Sequence, residues 1–266
     1  MPLLAEKFKA YSVALKNVLL CLNLNKISLI KKPQKLLSLT QLELFYSKMA
    51  MGKRGLPLKN IHEVFPVGSN SIELNIGISN KWFSTDSSYT KDLIALCTIC
   101  KIINPCKIFE IGTYDGFTAY HFALNSSERT EVYTLDLPKT YCDPELAMTI
   151  IDRSHVDSYR RISKYIFSGT PSEKKINCLF GDSAKYDFTE FHKQIDIFFI
   201  DGAHSYEYVR SDSINAMNCV RDGGVIIWHD YGRYGVNGVT KWLHELRKKK
   251  EIYSVPGSSL AFMVVR

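Results

Sequence analysis

The hydrophobic and polar positions of the chain change period along its 266 residues. Beyond residue 105, short apolar runs alternate with stretches in which apolar residues recur every three or four positions. The first pattern predicts buried strands and the second predicts amphipathic helices. The predicted strands are 107–111, 131–136, 176–180, 195–200, 223–229, 250–255 and 259–265. Helices are predicted over 3–22, 34–51, 90–103, 116–125, 144–166, 205–220 and 237–249.

Strands that alternate with helices predict an α/β fold, in which a mostly parallel sheet is covered by helices on both faces. The last two strands differ, because they are joined by a short Pro-Gly-Ser-Ser turn at residues 256–259, the last of which begins the final strand. So short a turn joins antiparallel strands. We therefore expect a seven-stranded sheet that ends in an antiparallel hairpin strand.

Composition and charge divide the chain into two parts. The net charge is +7, but the first 60 residues alone hold eleven Lys or Arg against two Glu. We expect a basic helical N-terminal extension over 1–84, which packs a homo-oligomer or covers the site, or touches an acidic surface, and one near-neutral domain over 85–266. No nucleic-acid motif accompanies the charge, and no apolar run is long enough to span a bilayer. Seven unevenly spaced cysteines and no secretory signal favour a reduced, cytoplasmic protein.

A glycine turn after the first strand of the sheet carries the strongest functional signal. Glu110 lies near the end of the strand, and Gly112 and Gly116 follow in a turn that leads directly into a helix. Strand, glycine turn and helix bring bare backbone close to a nucleotide-like ligand. A carboxylate at this point repels pyrophosphate and suits a ligand with an ammonium group. S-adenosylmethionine is such a ligand.

Polar residues at the ends of the next two strands fit the same ligand. Asp136 ends the second strand, about 20 residues beyond the glycine turn, where a carboxylate accepts hydrogen bonds from a ribose diol. Asp182 and Ser183 follow the third strand, where an adenine amino group could be recognised; an ordinary turn or helix cap is the alternative.

The fourth and fifth strands deliver ionisable side chains to the same sheet edge. Asp201 and His204 follow the fourth strand, and His229 and Asp230 follow the fifth. Carboxylate oxygens and imidazole nitrogens that converge at two adjacent strand ends predict a divalent metal site, most plausibly for Mg²⁺. The alternative is that each residue only caps or hydrogen-bonds its own loop.

These motifs together resemble those of a known enzyme family. Residues 110–118 (Glu-Ile-Gly-Thr-Tyr-Asp-Gly-Phe-Thr) resemble the first motif of catechol and caffeoyl-CoA type O-methyltransferases. Residues 201–206 with 229–231 are similar to the bacterial family of macrolide-sugar and aminocoumarin O-methyltransferases. The resemblance covers 85–266 and implies a Rossmann-like class I methyltransferase fold. It also implies a cofactor site made of Glu110, Gly112, Thr113, Tyr114, Gly116, Thr118, Asp136, Asp182, Ser183 and Asp201, and metal ligands Asp201, Asp230 and His229.

The chain departs from the catechol type at two positions, and these departures shape the expected mechanism. His204 stands where that type has a lysine base, and His229-Asp230 replaces an Asp-Asn pair. We expect His204, or second to it His229, to remove a proton from a small-molecule hydroxyl while Asp201 holds a metal. The segments 137–175 and 231–238 are expected to form the substrate wall, where Tyr231, Tyr234 and Arg233 could contact a sugar or an aromatic ring. The alternative is that these three side chains only anchor their loop.

Two other functions remain open from the sequence. Related folds occur in proteins likened to antibiotic hydroxylases, in which cofactor and metal are present but the substrate is not methylated. The mass of the product distinguishes methylation from hydroxylation. A cofactor-binding module without turnover is the second alternative, and the intact set of Glu110, Gly112, Gly116 and Asp136 argues against it.

Overall fold

The computed structural model of the chain describes residues 55–65, 71–77, 88–141, 143–233 and 235–266. The helices predicted over 3–22 and 34–51 lie outside the described residues. The boundary predicted at residue 84, and the pairing of two copies through the extension, therefore stay predictions. None of the helices within the described ranges is long and apolar enough to cross a membrane.

Helices and strands alternate through the domain much as the sequence pattern predicts. In chain order they are α1 (Ile61–Val64), α2 (Ser88–Ile103), β1 (Lys107–Ile111), α3 (Phe117–Leu124), β2 (Glu131–Asp136), α4 (Ile150–Tyr159), β3 (Ile176–Phe180), β4 (Ile195–Ile200), α5 (Tyr206–Cys219), β5 (Val220–Trp228), α6 (Asn237–Leu246), β6 (Tyr253–Ser254) and β7 (Ala261–Val264).

All seven strands form one sheet in the order β3-β2-β1-β4-β5-β7-β6. The strands from β3 to β5 run parallel, and β7 pairs antiparallel with both β5 and β6. This arrangement confirms the predicted Rossmann-like class I methyltransferase fold with its antiparallel end. Because the strand order reverses beside β1 and β4, their carboxyl ends open a crevice, where α/β sheets bind ligands.

Two apolar layers hold the helices against the sheet. On one face Phe198 of β4 belongs to the same cluster as Val209 of α5 and Leu243 of α6. On the other face Phe199 clusters with residues of α2 and α3, including Phe122. Every residue of β4 is buried, as expected for a central parallel strand covered on both sides. The packed strands fix the backbone from which the site residues project.

One predicted helix is much shorter in the structure. The apolar period predicted 144–166, whereas α4 begins after Thr149 and ends at Tyr159. A capping box defines its start: the Asp152 N–H donates to Thr149 Oγ1 at 3.1 Å, and the Thr149 N–H donates to Asp152 Oδ2 at 2.8 Å. The spacing of apolar residues alone could not locate this N-terminal cap.

Part of the predicted extension joins the edge of the sheet. Leu58 pairs in parallel with Ser254 of β6. The Ser254 N–H donates to the Pro57 carbonyl at 2.9 Å, and the Lys59 N–H donates to the Ser254 carbonyl at 3.0 Å. These bonds cover an otherwise open strand edge.

Candidate functional site

The glycine turn packs directly on the end of β4. Gly112 has φ of +102°, and a Cβ placed there would lie 2.1 Å from the carbonyl oxygen of Asp201. Only glycine therefore fits this close approach. Gly116 has φ of +81° at the start of α3, where a Cβ would meet the ring of Phe167 at 2.4 Å. Gly116 thus serves packing, and it is not among the described residues that line the two cavities at this edge of the sheet.

A cavity of about 220 Å³, the central cavity, lies at the carboxyl ends of β1, β2, β4 and β5. Its walls include Gly112, Asp136, Asp201 and His204, with α4 on the opposite side. A second cavity of about 100 Å³, the side cavity, extends from the glycine turn towards α2 and the start of α3. Thr113 and Thr118 line the side cavity, and Tyr114, Asp201 and His229 line both.

Asp136 faces the central cavity from the end of β2. The Tyr114 N–H donates to one of its carboxylate oxygens and the Leu137 N–H to the other, each at 2.8 Å. Burial raises the pKa of Asp136 to about 6, although these amide hydrogen bonds act in the opposite direction. Each oxygen retains accepting capacity for a ligand hydroxyl.

Glu110 lies behind the glycine turn and is not among the described residues that line either cavity. The Thr134 hydroxyl donates to Glu110 Oε2 at 2.5 Å, and the hydroxyls of Thr113 and Thr134 are 2.7 Å apart. Burial raises the pKa of Glu110 well above its ordinary value. Glu110 thus reaches the turn through two threonines and has no direct contact with the cavity.

Asp182 and Ser183 line the central cavity beyond Asp136. Asp182 Oδ2 accepts hydrogen bonds from the Tyr208 hydroxyl and the Glu145 N–H, both at 2.8 Å. Its other oxygen accepts from the Ala184 N–H at 2.9 Å. The carboxylate therefore joins three segments around the cavity. Its hydrogen bond from the Ala184 N–H also stabilises the local turn, which was the alternative role considered from the sequence.

His229 is held between two carboxylates at the end of β5. Its Nδ1 lies 2.8 Å from Asp201 Oδ1, and its Nε2 lies 3.1 Å from Asp92 Oδ2 on α2. Burial alone would lower the pKa of His229, but the charges of Asp201 and Asp230 raise it well above the ordinary value. The ring is therefore an imidazolium that donates at both nitrogens.

His204 is held in the same way at the end of β4. Its Nδ1 lies 2.6 Å from Asp152 Oδ1. Its Nε2 lies 2.9 Å from Asp230 Oδ2, which is an ion-pair distance, although the angle is outside hydrogen-bond geometry. Burial opposes the charged form, but the two carboxylates raise the pKa of His204 to about 10. A protonated imidazole has no lone pair to accept a proton, so this arrangement counts against His204 as a base.

Asp201, His229 and Asp230 each offer one possible ligand atom within 4.8 Å of the others. The two carboxylates suit a hard divalent ion. His229 does not, because both of its nitrogens face carboxylates. Arg233 Nε also lies 2.9 Å from Asp230 Oδ1, and the cations His229 and His204 hold the pKa of Asp230 well below its usual range. An ion therefore fits through Asp201 and Asp230 alone, in competition with these cations.

The match to known proteins agrees with this architecture. Residues 109–231 match a family described as "Methyltransferase domain". Residues 109–231 are a methyltransferase domain. The matched segment runs from β1 to the loop after β5 and so contains the glycine turn, Asp136 and both strand ends that carry histidines. No curated protein matches the sequence.

Solved structures similar to this chain include two O-methyltransferases. The enzyme from Bacillus cereus in complex with SAH has 19% identity and a TM-score of 0.49, over 70% of this chain and 85% of that chain. TomG from Streptomyces achromogenes, in complex with SAM, has 13% identity and a TM-score of 0.46, over 85% of this chain and 96% of that chain.

The wall of the methyltransferase domain's cavity differs from the expected one in part. Met148, Val156 and Tyr159 from the segment 137–175 line the central cavity. Tyr231 does not: its hydroxyl accepts from the Leu56 N–H at 2.8 Å and lies 2.9 Å from His244 Nε2. Arg233 is also outside the described lining and pairs with Asp230. Tyr231 and Arg233 are thus anchors, because the loop folds back towards α6 and α2. Tyr234 lies outside the described residues.

Three residues of the site were not predicted from the sequence. Asp92 pairs with His229, Asp152 pairs with His204, and His155 lines the central cavity. The period of α4 could have indicated two of them, because Asp152, His155, Val156 and Tyr159 recur at one helical face. Nothing local marks Asp92, since it reaches the site only through the packing of α2.

Proposed function

We propose that the chain transfers the methyl group of S-adenosylmethionine to a hydroxyl group of a small molecule, such as a sugar or a phenolic natural product. One observation carries the proposal. Asp136 and the Gly112 turn face the same cavity as the charged cluster at the ends of β4 and β5, within a methyltransferase domain. The proposed cofactor-binding residues are therefore adjacent to the charged cluster at which the reaction would occur.

The cofactor is proposed to follow the sheet edge across both cavities. Asp136 accepts hydrogen bonds from the ribose hydroxyls, and the backbone at Gly112, which has no side chain, approaches the ribose and the sulfur. Ser183 and Asp182 border the adenine. The methionine end enters the side cavity, where Thr113 and Thr118 line the wall at the start of α3. The remaining predicted contacts, Tyr114 and Asp201, line both cavities, whereas Glu110 and Gly116 support the turn from behind.

The chemistry asked of the protein is alignment and removal of one proton. A sulfonium is an intrinsically reactive methyl donor, so most of the acceleration comes from holding the hydroxyl oxygen in line with the methyl carbon. A base must accept the hydroxyl proton as the new C–O bond forms.

A divalent ion such as Mg²⁺ is proposed to bind through Asp201 and Asp230. It would lower the pKa of an acceptor hydroxyl. Because Arg233 and His229 already neutralise these carboxylates, we expect binding at millimolar rather than micromolar concentration. His229 then acts as a positioning group for Asp201 rather than as a ligand.

Binding and transfer are tested separately. Calorimetry with S-adenosylmethionine should give a dissociation constant on the order of micromolar. Incubation with radiolabelled S-adenosylmethionine and either catechol or methyl α-D-glucopyranoside, followed by mass spectrometry of the product, tests for methyl transfer.

Asp136→Ala should weaken cofactor binding at least about tenfold, because it removes a charged hydrogen-bond acceptor. Absence of binding heat at millimolar cofactor would reject the proposal, and a product of hydroxylation would replace it.

The metal site has its own prediction. Asp230→Asn should abolish any Mg²⁺ dependence of the transfer rate while leaving cofactor affinity within about twofold, because Asp230 is remote from Asp136. Asp222→Asn, an exposed carboxylate at the opposite end of β5, is the matched control. Transfer at an unchanged rate in EDTA, and in Asp230→Asn, would exclude the ion.

A further inference from the structure

Three histidines line the central cavity, and two of them are already held by carboxylates on both sides. His204 lies between Asp152 and Asp230, and His229 lies between Asp201 and Asp92. The third, His155, belongs to α4 and comes from the segment between β2 and β3. Among the described residues, neither of its ring nitrogens is held by a carboxylate or by another hydrogen-bond partner.

The position of His155 follows from the way α4 is anchored. Asp152 Oδ1 accepts from the backbone N–H of His204 at 3.0 Å and from its ring Nδ1 at 2.6 Å, which fixes the first turn of α4 against the end of β4. Residues three apart on a helix share a face. His155 therefore projects into the central cavity beside Asp152. Its ring centroid lies 6.3 Å from that of Tyr114 in the glycine turn and 6.2 Å from that of His204.

We propose that His155 is the general base that accepts the proton of the acceptor hydroxyl. This inference rests on the proposed methyl transfer. As the hydroxyl oxygen forms its bond to the methyl carbon, the carbon–sulfur bond breaks and its electron pair stays on sulfur, so that the sulfonium becomes a thioether. The hydroxyl proton passes to a ring nitrogen of His155 and afterwards to water. No other reactant is needed.

The charges that surround His155 support an unprotonated ring at neutral pH. Part of the His155 side chain remains exposed to solvent at the cavity. Its partial burial and the positive charge of His204 lower the pKa of His155, whereas Asp152, Asp201 and Asp230 act in the opposite direction. The two histidines have different roles: His204 anchors α4 as an imidazolium, and His155 offers a lone pair.

Substitution of the ring tests the proposal. His155→Gln should lower kcat about 100-fold or more with the acceptor that the wild-type chain methylates, catechol or methyl α-D-glucopyranoside, and should remove the inflection of the kcat–pH profile below neutrality. Affinity for S-adenosylhomocysteine, measured by calorimetry, should stay within about twofold of the wild-type value. Added imidazole should partly restore transfer in His155→Ala. His192→Gln, at an exposed histidine far from the cavity, should change none of these.

A second measurement separates this proposal from the proposed function. Side-chain ¹⁵N NMR of the wild-type chain should find His155 neutral and titrating below its ordinary range, while His204 stays protonated. If the chain methylates an acceptor and His155→Gln retains its kcat within about twofold, or loses it without a change in the pH profile, His155 is not the base. If His155 is protonated at neutral pH, the proposal is also overturned. Failure of methyl transfer in the wild-type chain would instead reject the proposed function, whatever the NMR result.

Discussion

At the scale of single residues, the site depends on carboxylates whose surroundings differ sharply. Asp230 lies among three cations and keeps its charge, whereas Glu110 is buried behind the turn with a hydroxyl as its partner. Asp136 is intermediate, because burial opposes its charge and two backbone amides support it. Similar side chains at neighbouring strand ends therefore have different ionisation, and this difference governs what each can bind.

Asp136 should make cofactor binding depend on pH. In the proposed binding mode the ribose hydroxyls would donate to the ionised carboxylate, whose pKa burial raises to about 6. Since protonation removes that acceptor, affinity should be full above about pH 7 and fall as the pH drops through 6. We expect the dissociation constant of S-adenosylhomocysteine to be about tenfold larger at about pH 5 than at about pH 7.5.

Calorimetry across this range checks the expectation with two variants. Asp136→Asn should bind more weakly and lose the pH dependence. Asp143→Asn, an exposed carboxylate on the loop that precedes α4, should keep the wild-type profile. A profile that persists unchanged in Asp136→Asn would show that another group controls affinity.

At the scale of elements, α4 depends on its first turn for its place over the cavity. The helix is only ten residues long and is mostly polar, so its own propensity does not hold it in position. Asp152 combines two roles, because one oxygen closes the capping box with Thr149 and the other accepts from His204. A single carboxylate thus couples a helix start to the end of β4.

Asp152→Ala should loosen α4 without unfolding the sheet. Loss of hydrogen bonds to a charged group costs about 1.5–3 kcal/mol, which corresponds to at least about tenfold faster amide exchange. Hydrogen exchange followed by mass spectrometry should show this acceleration over residues 149–160 and little change in β4. Asp157→Ala, on the exposed side of the same helix, serves as the control. If the amides of α4 exchange at the same rate in both variants, apolar packing alone keeps α4 in place.

At the scale of the whole molecule, residues far apart in the chain close the antiparallel end of the sheet. The Leu56 N–H donates to the Tyr231 hydroxyl, 175 positions away. The same hydroxyl lies 2.9 Å from His244 Nε2 on α6. Burial lowers the pKa of His244, which is consistent with a neutral ring that accepts from the hydroxyl. One phenol therefore ties residues 55–59, the loop after β5 and α6 together.

Tyr231→Phe should destabilise the fold while leaving the site intact. It removes both hydrogen bonds and leaves a buried amide without its acceptor, at a cost of about 1–3 kcal/mol. Urea unfolding should show this loss, and affinity for S-adenosylhomocysteine should not change. Tyr253→Phe at the nearby β6 should cost less than about 0.5 kcal/mol. Equal stability of the two variants would contradict the anchoring role.

The sequence was sufficient to predict the strands of the sheet and many of the residues that line the central cavity. The first four parallel strands begin and end at the predicted residues, because apolar runs bounded by turn residues leave few alternative registers. Gly112, Asp136 and Asp201 lie around one cavity, as strand-end positions in a parallel sheet require. Less could be predicted for β5 and β6, whose ends depend on their partners, and for α4, whose start depends on a cap.

What the sequence determined by itself was therefore the order of elements and the edge at which the chemistry lies, because both follow from local periodicity and strand direction. Only the tertiary structure decided which groups are paired there. His204 and His229 look like bases in the sequence, but Asp152 and Asp92 arrive beside them from distant helices and raise their pKa values. Charge pairing depends on distances between residues remote in sequence, and local patterns carry no information about those distances.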